Sequence, residues 1–234
     1  MHYAVIAAGE GSRLAAEGVT DPKPLVKING EPLIDRLVRI FSANNAESIS
    51  VILNSDIPSL MEHLKSLKSD VKINIVNKST PSSMHSFYEL SRFLGEGKFC
   101  LTTVDTIFRE EEFSDFITEF EKDTLSDGIM GVTDFIDDEK PLYVGTDSEM
   151  KITGFYDAPG SDTGYISGGI YALTPDGIKV LQQSVASGMS RMRNYQRALV
   201  EAGLNLRAYP FSKVIDIDHA ADIKAAVNFL SQNK

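Results

Sequence analysis

Residues 3–14 read Tyr3-Ala4-Val5-Ile6-Ala7-Ala8-Gly9-Glu10-Gly11-Ser12-Arg13-Leu14. The apolar run from Tyr3 to Ala8, closed by Gly9, has the length and continuity of a strand buried on both faces in a parallel sheet. Two glycines directly after such a strand permit a tight turn whose N–H groups face an anion. By spacing alone, Gly9 and Gly11 suit either a phosphate loop or an ordinary turn. A dinucleotide fingerprint wants a third glycine where Leu14 stands, and a Walker loop wants Gly-Lys-Ser/Thr closing the run. The chain has neither, and Leu14 opens no obvious helix.

Outward from this strand, apolar runs alternate with helical periods. Leu33, Ile34, Leu37, Val38 and Phe41 space out a helix over 32–43. Strands are expected over 49–53, 71–76 and 99–103, with helices over 59–68 and 83–94 between them. From residue 128 the pattern changes, and strands over 128–134, 142–146, 151–156 and 165–173 follow without room for crossover helices. Helices close the chain over 174–187, 190–202 and 219–231. This predicts an α/β fold: a Rossmann-like, mostly parallel central sheet, helices on both faces and a small antiparallel part. No repeat or linker divides residues 1–234, so one domain is expected, with a nucleotide half over about 1–110 and an acceptor half over about 128–218.

The 234 residues are 42% hydrophobic and carry a formal net charge of −10. That balance suits a globular core and argues against a nucleic-acid binder, which needs clustered Lys and Arg. It leaves a mononucleotide open, since a small pocket needs few local cations. Cys100 is the only cysteine, read as a buried thiol, so no disulfide or cysteine-rich metal site is expected. No apolar window reaches membrane length and no signal peptide opens the chain, so a cytoplasmic protein is expected.

Asp21-Pro22-Lys23-Pro24-Leu25 encloses a lysine between two prolines. The prolines fix their own φ, and Pro24 favours extended geometry at Lys23. A lysine in such a rigid loop, exposed beside a glycine turn, is well placed as a point charge against phosphate.

Residues 4–14, Pro22-Lys23-Pro24-Leu25 and Gly30-Glu31-Pro32-Leu33-Ile34 together resemble the opening of the sugar-phosphate nucleotidyltransferase family. The resemblance implies a nucleotide-diphospho-sugar transferase-like fold. It also implies that Ala8, Gly9, Gly11, Ser12 and Arg13 bind nucleotide phosphates, and that Lys23 and Arg13 are the catalytic cations. Glu10 is read as filler, its backbone more useful than its carboxylate.

Asp105 ends the apolar strand over 99–104, where open sheets place their sites. Asp105-Thr106-Ile107-Phe108 resembles the family's Gly-Asp-x-x-Phe segment, with Val104 in place of glycine, and the resemblance makes Asp105 a Mg²⁺ ligand. Asp216-Ile217-Asp218 puts two carboxylates on one face if extended, which a cation would compensate. Either Asp216 or Asp218 fits the family's terminal metal aspartate, and Asp218 also suits a helix cap. Asp105 and Asp216 are expected at the same edge of the parallel sheet.

Ser82 and Ser83 precede a helix where the family recognises base and ribose, and also suit a serine-rich cap. His85 is polar in that helix without a partner legible from spacing. Tyr156, Gly168 and Gly169 lie in the segments resembling the acceptor-binding half, the glycines marking either acceptor approach or a bulge. The family's Glu-Lys-Pro is replaced by Tyr156-Asp157-Ala158-Pro159, which speaks against an ordinary hexose 1-phosphate. Arg191 and Arg193 suit a solvated helix face or an acceptor phosphate.

The implied activity is transfer of an NMP from an NTP to a small phosphorylated acceptor, with release of pyrophosphate, in nucleotide-sugar biosynthesis. Alternatives are a cytidylyltransferase for phosphocholine or another non-sugar phosphate or phosphonate, a molybdenum-cofactor acceptor, a non-catalytic nucleotide-sugar sensor, or a glycosyltransferase using Asp216-Ile217-Asp218. For phosphocholine, Tyr156, Asp157 and Tyr165 are the candidates for a cage around the quaternary ammonium. The expected partners are the NTP and its acceptor, without nucleic acid or membrane, in a monomer or homodimer.

Overall fold

Alternate residues of the first strand, β1 (His2–Ala7), enter two different cores. Tyr3, Val5 and Ala7 pack into one cluster, Ala4 and Ile6 into the other, because successive side chains leave opposite faces. The computed structural model describes residues 1–136 and 140–232. Residues 137–139, inside the expected acceptor half, and 233–234 lie outside the described residues.

The remaining strands of the main sheet are β2 (Ser48–Leu53), β3 (Lys72–Asn77), β4 (Phe99–Thr103), β5 (Gly128–Thr133), β6 (Tyr143–Thr146), β7 (Ile152–Tyr156), β8 (Tyr165–Leu173) and β9 (Leu206–Pro210). Their order is β7-β6-β8-β4-β1-β2-β3, with β5 also paired to β8 and β9 to β5. β4-β1-β2-β3 is parallel throughout. β8 runs antiparallel to β4, β5 and β6, which supplies the antiparallel part. The alternation read from the sequence therefore stands, with β9 as an additional strand.

Helices cover both faces. α1 (Ser12–Ala16), α2 (Leu33–Ala43), α3 (Pro58–Ser66), α5 (Glu110–Lys122) and α8 (Ala220–Ser231) lie on the Tyr3 side. α4 (Ser83–Ser91), α6 (Pro175–Ala186) and α7 (Met192–Glu201) lie on the Ile6 side. Among the described residues no helix is long and apolar enough to cross a membrane.

α5 goes beyond the helices expected from the sequence. Phe113, Phe116, Ile117 and Phe120 form its buried stripe at i, i+3, i+4 and i+7, and Glu110, Glu111 and Glu112 suit its positive N-terminus. Phe113 stacks on Phe108 at 4.8 Å and lies 5.6 Å from Phe41, which stacks on Tyr3. Cys100 is fully buried as expected, and burial pushes its thiol upward, away from reactivity. Phe113→Ala should cost about 3–5 kcal/mol, read as a lower urea midpoint.

Asp123 ends α5 by accepting the Leu125 N–H at 2.7 Å and the Ser126 N–H at 3.0 Å. Burial opposes its ionisation, but these N–H groups, together with Arg207, hold its carboxyl down at about 2. A carboxyl lowered on folding stabilises fully above its unfolded value near ~4, and that contribution is lost as pH falls toward the folded value. The stability advantage of the parent over Asp123→Asn should therefore be constant near neutrality and shrink from about pH 4 downward. Urea titrations across that window check it.

Candidate active site

The glycine turn begins where β1 leaves the core. Gly11 takes φ 64°, a left-handed conformation that favours glycine, and α1 starts at the next residue. This corrects the expectation that no helix opens near Leu14. Leu14 is buried in the core and anchors the short α1 turn, a tertiary contact that local sequence does not display. A Cβ at Gly11 would lie 3.1 Å from Cβ of Lys23, so the glycine lets the two segments touch.

Lys23 departs from the extended, exposed loop expected of it. It opens a 3-10 turn, Lys23–Leu25, closed by Leu25 N–H to the Pro22 carbonyl at 2.7 Å and Val26 N–H to the Lys23 carbonyl at 3.1 Å. These bonds and the burial of Pro24 outweigh the pre-proline preference. The side chain is only 11% exposed, and Nζ donates to Asp105 Oδ2 and Asp218 Oδ1, each at 2.7 Å. Burial opposes the ammonium, yet the two carboxylates outweigh it and raise its pKa above the ordinary lysine value. Burial likewise opposes the Asp218 carboxylate, and Lys23, Arg13 and His219 still hold it below the usual aspartate range. Arg13 Nη1 donates to Asp218 Oδ2 at 2.8 Å.

Asp105 and Asp218 therefore meet on one cation, while Asp216 does not join them. The strand pairing that brings the late segment in is small: Ile215–Asp216 runs antiparallel to Thr106–Ile107, outside the main sheet. Asp216 thus stands opposite Thr106, beside Asp105, although the pairing that brings it to that edge lies outside the parallel sheet. Ile217 N–H donates to the Asp105 carbonyl at 3.1 Å, and Asp218 N–H turns back to the Asp216 carbonyl at 3.1 Å. That tight turn interrupts the extended backbone, yet Asp216 and Asp218 still line one pocket. Asp218 is not the cap of α8 either: His219 takes that place, and Asp222 accepts the N–H groups of Asp218 and His219. Glu17 of the α1 segment binds His219 Nδ1 at 2.6 Å and Ala220 N–H at 2.7 Å, fastening α8 to the glycine turn. Among the described residues no group of three or more His, Cys, Asp or Glu side chains forms a metal-binding cluster.

Lys23 lines two cavities, and its partner Asp218 lines a third. Gly11, Ser12, Arg13, Lys23 and Asp218 line a shallow polar groove. Beside it lies a cleft lined by Ala8, Gly9, Lys23, Asp105, Ser82 and Ser83, together with Asn54, Asp56 and Thr80. Ser82 stands at the start of α4 without capping it; its Oγ meets His85 Nδ1 at 2.9 Å instead. Val104 is buried at the rim of this cleft, its N–H bonded to the Ile6 carbonyl at 3.0 Å.

On the other side of Arg13 and Asp218 lies a pocket lined by Thr133, Phe135, Gly168, Asp216 and Asp222. β8 shifts register between Ser167 and Ile170, so Gly168 and Gly169 form a bulge at this wall. Gly169 takes φ 69°, and a Cβ on Gly168 would crowd the Gly131 carbonyl at 3.1 Å. Tyr156 lies apart from these cavities, on the edge strand β7, against Gly145 and Gly154. Asp157 pairs with Arg193 at 2.7 Å and Arg197 at 2.8 Å, which gives Arg193 a partner away from the pocket. Arg191 precedes α7 with φ 73°, its N–H 3.5 Å from Ser82 Oγ.

The family model described as nucleotidyl transferase matches residues 3–233. The chain belongs to the nucleotidyl transferase family. It is 25% identical over 245 residues to the bifunctional protein GlmU of Thermodesulfovibrio yellowstonii, covering 98% of this chain and 52% of that one. The chain thus spans about half the length of the curated relatives it matches. Its fold matches the inositol-1-phosphate CTP transferase of T. maritima with a TM-score of 0.81 at 18% identity, over 99% of this chain and 96% of that one. It also matches the CTP:phosphocholine cytidylyltransferase of Streptococcus pneumoniae with a TM-score of 0.76 at 17% identity, over 98% and 99%.

In this nucleotidyl transferase chain the sequence reading found both ends of the Lys23 bridge but missed Asn54, Asp56, Thr80, Glu17, Phe135 and Asp222. Polar residues just after a strand, as in Asn54-Ser55-Asp56, are the one signal that marks part of this set. Lys23→Met leaves two part-buried carboxylates without their cation. It should destabilise by about 2 kcal/mol, less than a fully buried pair because Asp218 is 41% exposed. Adding Asp105→Asn should recover part of that loss in a denaturation double-mutant cycle.

Proposed function

We propose that the chain transfers an NMP from an NTP to a small phosphorylated acceptor and releases pyrophosphate. The observation that carries this reading is the Lys23 ammonium, fixed by Asp105 and Asp218 where the cleft and the polar groove meet, with Asp218 also lining the third pocket. An acceptor phosphate oxygen would form a bond to the α-phosphorus as the bond from that phosphorus to the bridging oxygen breaks, its electron pair leaving with pyrophosphate. The acceptor is already an anion, so no general base is required. Binding it in the pocket beside Asp218 aligns the two reactants, which is the larger part of such catalysis.

An ammonium has three N–H donors, and two of Lys23's are taken by carboxylates. The third is left for an α-phosphate oxygen, where charge builds up in the transition state. Arg13, 56% exposed beside the groove, is placed to meet the departing phosphates. The turn at Gly9 and Gly11 leaves room for those phosphates to approach the backbone.

The donors also fit Mg²⁺, which takes oxygen ligands and is commonly bound by one or two carboxylates together with substrate phosphates. Asp105 and Asp218, which line the cleft and the polar groove beside it, would hold the ion through carboxylate oxygens shared with or released from the Lys23 ammonium. When bound there it would supply further charge compensation to the triphosphate. Asp216 is assigned to the acceptor pocket, which revises the metal role expected for it.

A second reading narrows the acceptor to an amino-alcohol phosphate or phosphonate. It is favoured by the acidic lining Asp216 and Asp222 facing the Phe135 ring, in place of the Tyr156 cage expected from sequence. Lys213 Nζ already sits 3.6 Å from the Phe135 ring centroid, so that ring is a working cation surface.

Pyrophosphate release with four NTPs, Mg²⁺ and a panel of sugar phosphates, phosphocholine and 2-aminoethylphosphonate tests both readings. Lys23→Met, Asp105→Asn and Asp218→Asn should each lower kcat by about 100-fold or more, whereas Asp216→Asn should mainly raise the acceptor KM. No turnover from the folded parent would sink the transfer reading; sugar-phosphate turnover with amine acceptors inert would sink the second.

A further inference from the structure

Asn54 closes β2 and is 6% exposed, yet it lines the cleft assigned above to the nucleotide. Its Oδ1 accepts the backbone N–H of Asp56 at 2.9 Å and the Ser79 hydroxyl at 2.9 Å. A backbone N–H only donates, so the atom facing it is the amide oxygen and the NH₂ group is turned the other way. Among the described residues Nδ2 has no protein acceptor, and it is not one of the enclosed atoms left without a bond. The amide nitrogen therefore opens to the cleft as a donor of fixed direction.

Position along the sheet says what it meets. The strand order β4-β1-β2 puts Asp105 after the first of these strands, the glycine turn after the second and Asn54 after the third. Two strand spacings, about 10 Å, separate the metal and phosphate side from Asn54. That distance leaves room for a ribose between the α-phosphate and Asn54.

We propose that Asn54 reads the nucleobase, its Nδ2 donating to a ring nitrogen or carbonyl on the base edge of the bound NTP. The assignment rests on the nucleotide-cleft reading and deepens it. Asn54 fixes selectivity because its donor is oriented by the protein before the base arrives, and a base presenting a donor at that point leaves two N–H groups opposed.

Asn54→Asp decides the matter, because it keeps an oxygen for the Asp56 N–H and exchanges only the donating NH₂ for an acceptor. Isothermal titration of each of the four NTPs, in the presence of Mg²⁺ and without acceptor, reads the effect independently of turnover. The preferred NTP of the parent should lose about tenfold in affinity relative to the other bases, narrowing or inverting the ranking. Asn54→Ser, neutral and too short to reach the base, should narrow the ranking in the same direction, and it decides alone if the aspartate variant does not fold. An unchanged ranking, or an equal loss for all four NTPs as from a ribose contact or simple repulsion, overturns the assignment while leaving the cleft intact. A parent that binds no NTP overturns the cleft reading and Asn54's role together.

Discussion

One ammonium group ties the active-site end of the sheet together. Lys23 bonds Asp105, 82 residues later, and Asp218, 195 residues later, with its side chain nearly enclosed. Two carboxylates drawn that close repel each other, and burial adds to the cost of keeping both ionised. Only a cation between them makes the arrangement stable, and the lysine is in turn kept charged by them. Other local features follow from this requirement. Gly11 is free of a side chain where the turn touches Lys23 Cβ, and the Ile217 N–H anchors the late segment to the Asp105 carbonyl. Glu17 then fastens the start of α8 to the helix after the glycine turn. A site built this way is assembled only when the first and last quarters of the chain have folded against each other.

The parallel half of the sheet was legible because its strands are buried on both faces, so each appears as an unbroken apolar run such as Tyr3 to Ala8 or Phe99 to Val104. Lys23 and Asp105 were legible for a related reason, since short motifs at strand ends fix residue type and place together. Their contact was not, because nothing local to Pro22-Lys23-Pro24 reports a carboxylate 82 residues away. The turn of the backbone at Asp218 was not legible either, because periodicity reasoning assumes an extended segment. α5 offered its stripe of Phe113, Phe116, Ile117 and Phe120 openly, and its acidic opening matches the helix dipole. Tyr156 illustrates the opposite failure: residue type and segment pointed to a ligand cage, but the edge strand carries the ring away from the pocket.

The cleft and the pocket on either side of the Lys23 bridge differ in chemistry. Away from Glu10, Lys23, Asp56 and Asp105, the cleft assigned to the nucleotide is lined by hydroxyls and an amide, with Ser79 bonded to Asn54 and Thr80 to Ser86 at 2.6 Å. Hydroxyls can donate or accept, whereas the Asn54 amide oxygen is taken by the Asp56 N–H and the Ser79 hydroxyl, which leaves its NH₂ as the donor. The acceptor pocket is acidic instead, and its one arginine, Arg13, is bound to Asp218. On the proposed reading, phosphate recognition is concentrated at Lys23 and Arg13, between the cleft and the pocket.

The reversal of chain direction at β8 is what allows this division. β8 pairs antiparallel with β4 along Ile170 to Leu173, then bulges at Gly168 and Gly169 before pairing with β6. A straight strand would carry side chains into the space beside Asp216. The bulge withdraws them, and the glycines leave only backbone there, with Gly168 pressed between the Gly131 carbonyl and Val214. The pocket's floor is therefore set by backbone geometry, which side-chain replacement within β8 changes little as long as the glycines remain. Its discriminating groups, Phe135, Asp216 and Asp222, come from segments outside the main sheet. On the proposed reading, acceptor specificity varies through those segments while the parallel half stays as it is, and the pocket touches the Lys23 bridge only at Arg13 and Asp218.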